Sequence, residues 1–282
     1  MVYSNVKSFA KINLSLNVTG KFKNYHKIES IISFLDLFDL ILIKKIKSKN
    51  HKIRFIGQFS KNINKSNTIS KLLNLLDKKK LLKDIKFEII VQKNIPSKAG
   101  LGGGSMNAAS VLKYFIKKKF VKISKNEISK ITYLIGSDVI LGMYSSKFLI
   151  LKSNKKIFEF LSKKKFYTLL VKPNFGCSTK KIYSKVKKFS KQEFNSTSKN
   201  MFSIKFLKNS KNDLEKIALD KYPKLRKLRN FLVNLVDTEF VRMTGSGSAI
   251  IAYFSSVKMC KEAEKKVKNQ FRNYWCKTSK TI

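Results

Sequence analysis

Residues 8 to 19, SFAKINLSLNVT, alternate between apolar and polar. Ala10, Ile12, Leu14, Leu16 and Val18 fall on one face and Lys11, Asn13, Ser15 and Asn17 on the other. That two-residue period predicts a half-buried β-strand with a lysine and an asparagine side by side on its polar face. Gly20 and Asn24 mark a turn into Tyr25-His26-Lys27-Ile28-Glu29-Ser30. The apolar run 35–46, LDLFDLILIKKI, reads as a strand pairing with the first, and 51–57, HKIRFIG, as another. Asn67-Thr68 can cap a helix over ISKLLNLLDKKKLL, whose leucines recur at helical spacing. Residues 85–93 give a further strand. A helix that buries Ala109, Leu112, Phe115 and Ile116 comes next, and Ser124 with Glu127 forms a capping box for another, closed by Gly136.

Beyond residue 150 the pattern changes. FYTLLVKPN (166–174) reads as a strand, STKKIYSKVKKF (178–189) as a helix, and 190–202 as a mobile polar loop. Helices are expected over 203–220, with Asn212-Asp213 inside or capping it, and over 223–236. EFVRM and SAIIAYF make two short strands about the turn Thr244-Gly245-Ser246-Gly247. A helix, VKMCKEAEKKVKNQF, and a last strand, YWCKT, follow. Two strands, a helix and another strand suggest a ferredoxin-like α+β second domain. No internal repeat or low-complexity linker separates the halves, and the boundary is set at residue 155, giving domains 1–155 and 156–282.

Between the strand at 85–93 and the helix after it stands IPSKAGLGGGSMNAA (95–109), with four glycines in five residues. Glycine at that density serves where backbone takes positive φ or must approach something closely. Placed before a helix, such a loop aims N–H groups at one spot, where the helix dipole favours negative charge. Phosphate is the natural ligand. A Walker loop would need Gly-Lys-Ser/Thr, whereas Ser105 and Met106 follow Gly104. The dinucleotide fingerprint would need a later ribose carboxylate in a βαβ unit, and none follows.

Composition narrows the rest. The 282 residues are 43% hydrophobic, which argues against wholesale disorder, and no apolar run approaches a membrane span. No export signal is visible, and the three cysteines, Cys177, Cys260 and Cys276, lie far apart without metal-ligand spacing. A cytoplasmic location is expected. The 61 Lys and Arg against 17 Asp and Glu give +44, which first suggests nucleic acid. Only five of those cations are arginine, however, and the lysines are spread over the whole length. A surface selected to grip phosphates and base edges favours the arginine fork. We read the excess as compositional bias, with no specific nucleic-acid partner and no membrane partner expected. Taken alone, Lys11 is one lysine among many, Asp138 an ordinary turn aspartate, and His26 a structural histidine.

Several motifs occur in one order: Ala10-Lys11-Ile12-Asn13-Leu14, Tyr25-His26, Asn67, the glycine loop, and Gly136-Ser137-Asp138-Val139. Asn212-Asp213-Leu214-Glu215 and Arg242-Met243-Thr244-Gly245-Ser246-Gly247 complete the set. In this the chain resembles the superfamily of galacto-, homoserine, mevalonate and phosphomevalonate (GHMP) kinases. Within it, the likeness is to the 4-diphosphocytidyl-2-C-methyl-D-erythritol kinases of the non-mevalonate isoprenoid route. The resemblance implies a two-domain α+β GHMP kinase fold, an N-terminal ribosomal-protein-S5-like domain and a C-terminal ferredoxin-like one. It implies transfer of the ATP γ-phosphoryl to the C2 hydroxyl of the cytidyl substrate, with Mg²⁺, by a monomer or homodimer.

By the same resemblance Asp138 is the catalytic aspartate, and Lys11 the catalytic lysine that keeps it ionised and polarises the acceptor oxygen. Pro96, Ser97, Lys98, Ala99, Gly100, Leu101, Gly102, Gly103, Gly104, Ser105, Asn107 and Asn67 are implied in ATP binding, with Ser105 also near the metal. Asn13, Tyr25, His26, Thr179, Tyr183, Gly245 and Ser246 are implied in substrate binding. In that assignment Tyr25 and Tyr183 sandwich the cytosine and His26 bonds its edge; stacking on an aromatic is worth ~1–3 kcal/mol per base. A homoserine- or mevalonate-type acceptor would need no such sandwich. The chain departs from the family pattern at Lys98, at Met106, at Ile140 after Val139, and at Asn24 where glycine is usual.

Overall fold

The structure, a computed structural model, describes residues 2–23, 25–146, 148–161 and 164–282. Asn24 lies outside the described residues. Contacts divide the chain into two compact units: one of residues up to Ala10, Leu37–Ser97 and Gly102–Ser145, the other of Lys11–Asp36, Lys98–Leu101 and Ser146–Ile282. This is an interleaved division, in which strand β1 (Ser4–Phe22) and its partner β2 (Tyr25–Ile46) each contribute to both units.

In the first unit the later part of β2 runs antiparallel to β4 (Lys86–Gln92), which runs parallel to β3 (Lys52–Ile56). Helices α1 (Thr68–Lys78), α2 (Gly103–Lys117) and α3 (Lys125–Ile135) bury their apolar faces with these strands. Leu72, Leu76, Ile89, Val91, Leu112 and Phe115 form the centre, and the rings of Phe87 and Phe115 lie 4.5 Å apart. The caps follow from the sequence. Asn67 accepts from the N–H groups of Ile69 and Ser70, while Ser124 and Glu127 close the expected capping box. After α3 a 3₁₀ turn, Val139–Met143, opens at Asp138.

In the second unit the early part of β2 pairs with β5 (Phe148–Leu151), and β5 with β6 (Ile157–Phe160), two strands that the sequence reading missed. The rest is built on β7 (Tyr167–Lys172), α4 (Thr179–Tyr183), α5 (Ile204–Asn209), α6 (Asp213–Lys221) and α7 (Pro223–Val233). Strands β8 (Phe240–Met243) and β9 (Ile250–Phe254), helix α8 (Val257–Gln270) and strand β10 (Trp275–Lys280) complete it. The antiparallel sheet has the order β10-β7-β9-β8. Counted from β7 this is 4-1-3-2, the order of a ferredoxin-like fold, as expected.

Four local expectations change. The polar face of β1 is buried, not half-solvated: Lys11, Asn13, Ser15 and Asn17 are each at most 4% exposed. The helix expected over 178–189 stops at Tyr183, because beyond the buried Ile182 a lysine-rich stretch offers little apolar surface to cover. The helix expected over 203–220 breaks into α5 and α6. There the Arg242 guanidinium takes the carbonyls of Leu207 and Ser210, and Asn212 starts the next helix. Within 190–202, Phe194, Met201 and Phe202 are buried, and the N–H groups of Glu193 and Phe194 donate to Glu29 Oε2 at 2.8 and 3.2 Å. That segment is anchored, contrary to the mobile loop the polar residues suggest.

Candidate active site

Four successive carbonyls of the glycine run have partners within the second unit. Lys98 O accepts from the Ser248 N–H, Ala99 O from Ala249, Gly100 O from Thr244 Oγ1, and Leu101 O from the Lys11 N–H, all at 3.0–3.2 Å. In a trans peptide the carbonyl of one residue and the N–H of the next point opposite ways. The N–H groups of Ala99, Gly100, Leu101 and Gly102 therefore point away from those partners. Positive φ recurs at every second residue, Lys98 (52°), Gly100 (75°) and Gly102 (66°). That alternation curls successive N–H groups into a concave anion nest. Gly100 is required twice over, by its φ and because a Cβ would stand 2.0 Å from Thr244 O.

In the same unit Lys11 donates from Nζ to Asn13 Oδ1 at 2.7 Å. Asn13 Nδ2 donates to Ser30 Oγ at 2.8 Å, and the Asn13 N–H to Thr244 Oγ1 at 3.1 Å. Residues two apart on a strand share a face, so β1 alone places Lys11 beside Asn13. Thr244 thus touches both the asparagine strand and the glycine run; the sequence reading saw its turn but left it out of the site. Ser30, also missed, leaves no signal in sequence, being one serine among many. Thr179 and Ser246 share a hydroxyl–hydroxyl hydrogen bond of 2.9 Å. Gly245 is held by Asn212, whose Nδ2 donates to the carbonyls of Met243 and Gly245 at 2.7 and 2.8 Å. Asp213 and Glu215 accept from the backbone N–H groups of Val18 and Met243, so the Asn-Asp-Leu-Glu motif clasps this turn and strand β1.

Among the implied base-binding residues, the structure brings His26 and Tyr183 together, ring centroids 4.9 Å apart and tilted by 38°. Tyr25 is 57% exposed at the start of β2. Burial, reinforced by Lys21, pushes the His26 imidazole below the ordinary histidine range, so the neutral ring prevails at pH 7.

In the first unit, α2 begins at Gly102 with no side chain capping its first turn, as α7 of the second unit does behind Pro223, whereas α1, α3, α4, α5, α6 and α8 are each capped by Asn or Ser. An uncapped helix start after a left-handed glycine fits a phosphate. Gly104 is exposed at this start, and its carbonyl accepts from Thr68 Oγ1 at 2.6 Å, a contact absent from the sequence reading. The Asp138 turn packs on the same helix: a Cβ on Gly142 would meet Ala109 Cβ at 2.5 Å and Met106 Sδ at 3.3 Å. Met106 is thereby buried among protein atoms, and its N–H goes to Gly102 O at 2.9 Å. A Cβ on Gly136 would lie 3.9 Å from Ser105 Oγ, which places the half-buried Ser105 near the segment that carries Asp138.

The side-chain amide nitrogens of Asn107 and Asn67 donate to protein, while Asn107 Oδ1 is buried without a hydrogen-bond partner. Asn107 donates to Asp39, and Asn67 caps α1 while donating to the carbonyls of Asn64 and Lys65. Pro96 is buried and Ser97 exposed where the strand leaves the sheet. Among the described residues no group of three His, Cys, Asp or Glu side chains could hold a metal ion. No helix among them is long and apolar enough to cross a membrane.

A strand-borne lysine and asparagine, an anion nest leading into an uncapped helix, and a ferredoxin-like sheet are the parts of a GHMP kinase. The profile of the GHMP kinases N-terminal domain matches residues 67–146. A crystal structure of a 4-(cytidine 5'-diphospho)-2C-methyl-D-erythritol kinase superposes with a TM-score of 0.79 at 20% identity, covering 98% of this chain and 99% of that one. Homoserine kinase from Cytophaga hutchinsonii gives 0.71 at 14% identity, covering 99% and 94%. The 4-diphosphocytidyl-2-C-methyl-D-erythritol kinase of Pelagibacter ubique strain HTCC1062 is 60% identical over 277 residues, 98% of each chain, and that of Clostridium kluyveri is 34% identical over 95% and 96%. The chain belongs to the 4-diphosphocytidyl-2-C-methyl-D-erythritol kinase family.

Proposed function

We propose that this enzyme transfers the γ-phosphoryl group of ATP to the C2 hydroxyl of 4-diphosphocytidyl-2-C-methyl-D-erythritol, a step toward isoprenoid precursors. The observation that carries the reading is the alternating positive φ at Lys98, Gly100 and Gly102, with the four carbonyls of residues 98–101 turned aside to protein partners. That backbone suits a polyphosphate, and family membership selects ATP as donor. Mg²⁺ bound with ATP would neutralise charge on the phosphates, and Ser105 Oγ would help to hold it.

Asp138 accepts the proton of the C2 hydroxyl as its oxygen bonds to the γ-phosphorus and the bond to the ADP oxygen breaks. Lys11, held by Asn13, stabilises the negative charge that develops on that oxygen. Asn13 orients the acceptor, with Thr179, Gly245 and Ser246 beside it. Tyr25 and Tyr183 stack on the cytosine and His26 bonds its edge. Lys98 and the run from Ala99 to Ser105 hold the triphosphate, with Pro96 and Ser97 framing it and Asn107 and Asn67 acting through the protein groups they hold.

A cytoplasmic enzyme, monomeric or homodimeric, with kinase domains 1–155 and 156–282 and no specific nucleic-acid partner, completes the proposal. The test is a coupled ADP-release assay against the cytidyl substrate, homoserine and mevalonate. Turnover confined to the cytidyl compound is expected. Turnover of either small alcohol at a comparable kcat/KM overturns the acceptor assignment.

A further inference from the structure

We propose that Asp39 is a positioning residue for nucleotide binding, its buried carboxylate tying the strand that leads into the glycine run to Asn107, one turn into α2. Asp39 lies on β2 and is 0% exposed. Its Oδ1 accepts from the N–H groups of Asn94 and Ile95 at 2.8 and 2.9 Å. Its Oδ2 accepts from Asn107 Nδ2 at 3.0 Å and from the ammonium of Lys93, which is itself 4% exposed. A carboxylate in the middle of an apolar strand is unfavourable unless every lone pair is used. Here the four donors come from the segments that flank the glycine run.

The arrangement has a specific consequence for the loop. Strand β4 ends at Gln92, so the N–H groups of Asn94 and Ile95 have left the ladder, and Asp39 takes the place of a strand partner. A Cβ on Gly103 would lie 3.1 Å from Ile95 Cγ2 and 3.4 Å from Lys93 Nζ. The residues that Asp39 fixes therefore stand directly against the first residue of α2, and Asn107 fixes the same helix one turn on. Displacing either side shifts the N–H groups of Gly103, Gly104 and Ser105 relative to a bound phosphate. A misplacement near 1 Å costs up to ~10²-fold in such sites.

This rests on the nucleotide reading of the loop, which ATP binding by the unmutated protein tests separately. Asp39→Asn keeps the shape but turns one acceptor into a donor facing Lys93 and Asn107. The KM for ATP should rise about tenfold while the KM for the cytidyl substrate stays within about twofold. An unchanged ATP KM, or an equal rise in both, overturns the proposal. Should Asp39→Asn not fold, Asn107→Ala leaves the Lys93 pair in place. An ATP KM raised about threefold or more, with the acceptor KM unmoved, supports the tie; an unmoved ATP KM overturns it. Where both variants fold, their effects should coincide in the double variant, because Asn107 acts through Asp39. Full additivity contradicts that. No rise in Tm of the unmutated protein with ATP overturns both readings, whereas a normal rise with an indifferent Asp39→Asn overturns this one alone.

Discussion

The ammonium of Lys11 reaches Oδ1 of Asn13 at 2.7 Å along one buried face of β1. An exposed lysine would swing through many rotamers. This one is only 4% exposed and is aimed by a neighbour that is itself tied to Ser30 and Thr244. Pre-orientation of that kind lets a cation stabilise developing charge without reorganising at the moment of reaction.

Lys11→Met keeps the length of the side chain and removes the charge. We expect kcat to fall by ~10²–10⁴. Loss of a buried cation and loss of its bond to Asn13 act in opposite directions on stability, so Tm should move by less than about 4 °C. Near-normal turnover in a steady-state assay would remove Lys11 from the chemistry.

Asp138 opens the 3₁₀ turn Val139–Met143, but its side chain does not cap that turn. Asp138→Asn should therefore leave the packing of Gly142 on Ala109 intact. The expected outcome is a kcat lowered by ~10²–10⁴ with the ATP KM within about threefold. Single-turnover measurement of phosphoryl transfer, set beside ATP titration, separates the two.

Lys11 and Asn13 were legible as neighbours because a strand's period is two, and the caps at Asn67 and Ser124 because they are local. The C-terminal sheet order was legible too, because the spacing of strands and helices after residue 166 admits few connections. Burial of the polar face of β1 was not, since Asn13 and Asn17 meet Thr244 and Glu193, far along the chain. Glycine spacing pointed to a phosphate loop. It could not announce that Thr244, Ser248 and Ala249 would turn the loop's carbonyls aside, which is a long-range property. Asp39 left a trace, an acid inside LDLFDLILI, that reads as noise until Lys93 and Asn107 are placed around it.

The glycines of the loop separate structural from ligand demands. Gly100→Ala forces a Cβ to 2.0 Å from Thr244 O at a φ of 75°. Overpacking and a left-handed alanine together should cost about 2–4 kcal/mol, read as a lower Tm. Gly104→Ala differs, because the nearest atom to its Cβ would be Thr68 Oγ1 at 3.4 Å and its φ is ordinary. Alanine favours a helix over glycine by about 0.5–1 kcal/mol, so Tm should hold or rise. The new methyl group meanwhile stands at the exposed helix start where we place phosphate, and the ATP KM should rise. Equal behaviour of the two variants in Tm and KM would contradict the assignment of Gly104 to ligand.

His26 supplies a pH dependence whose direction follows from its surroundings. Burial is the larger cause and Lys21 the smaller, and both disfavour the imidazolium, so the folded-state pKa lies below the ordinary 6.5. The stability His26 contributes is accordingly present above pH 6.5 and is lost as pH falls through the folded value. Binding follows the same course. A neutral imidazole offers one donor and one acceptor to a base edge, and protonation removes the acceptor. The acceptor substrate's diphosphate is esterified at both ends and does not titrate in this range. At saturating ATP, the KM for the cytidyl substrate should stay flat as pH falls through 6.5 and rise only below it. Tyr183 packs on the His26 ring at 4.9 Å, so Tyr183→Ala should admit water and move the inflection up toward 6.5. His26→Asn should abolish it. An inflection that survives His26→Asn, or that Tyr183→Ala moves to lower pH, would show that another group governs cytidyl binding.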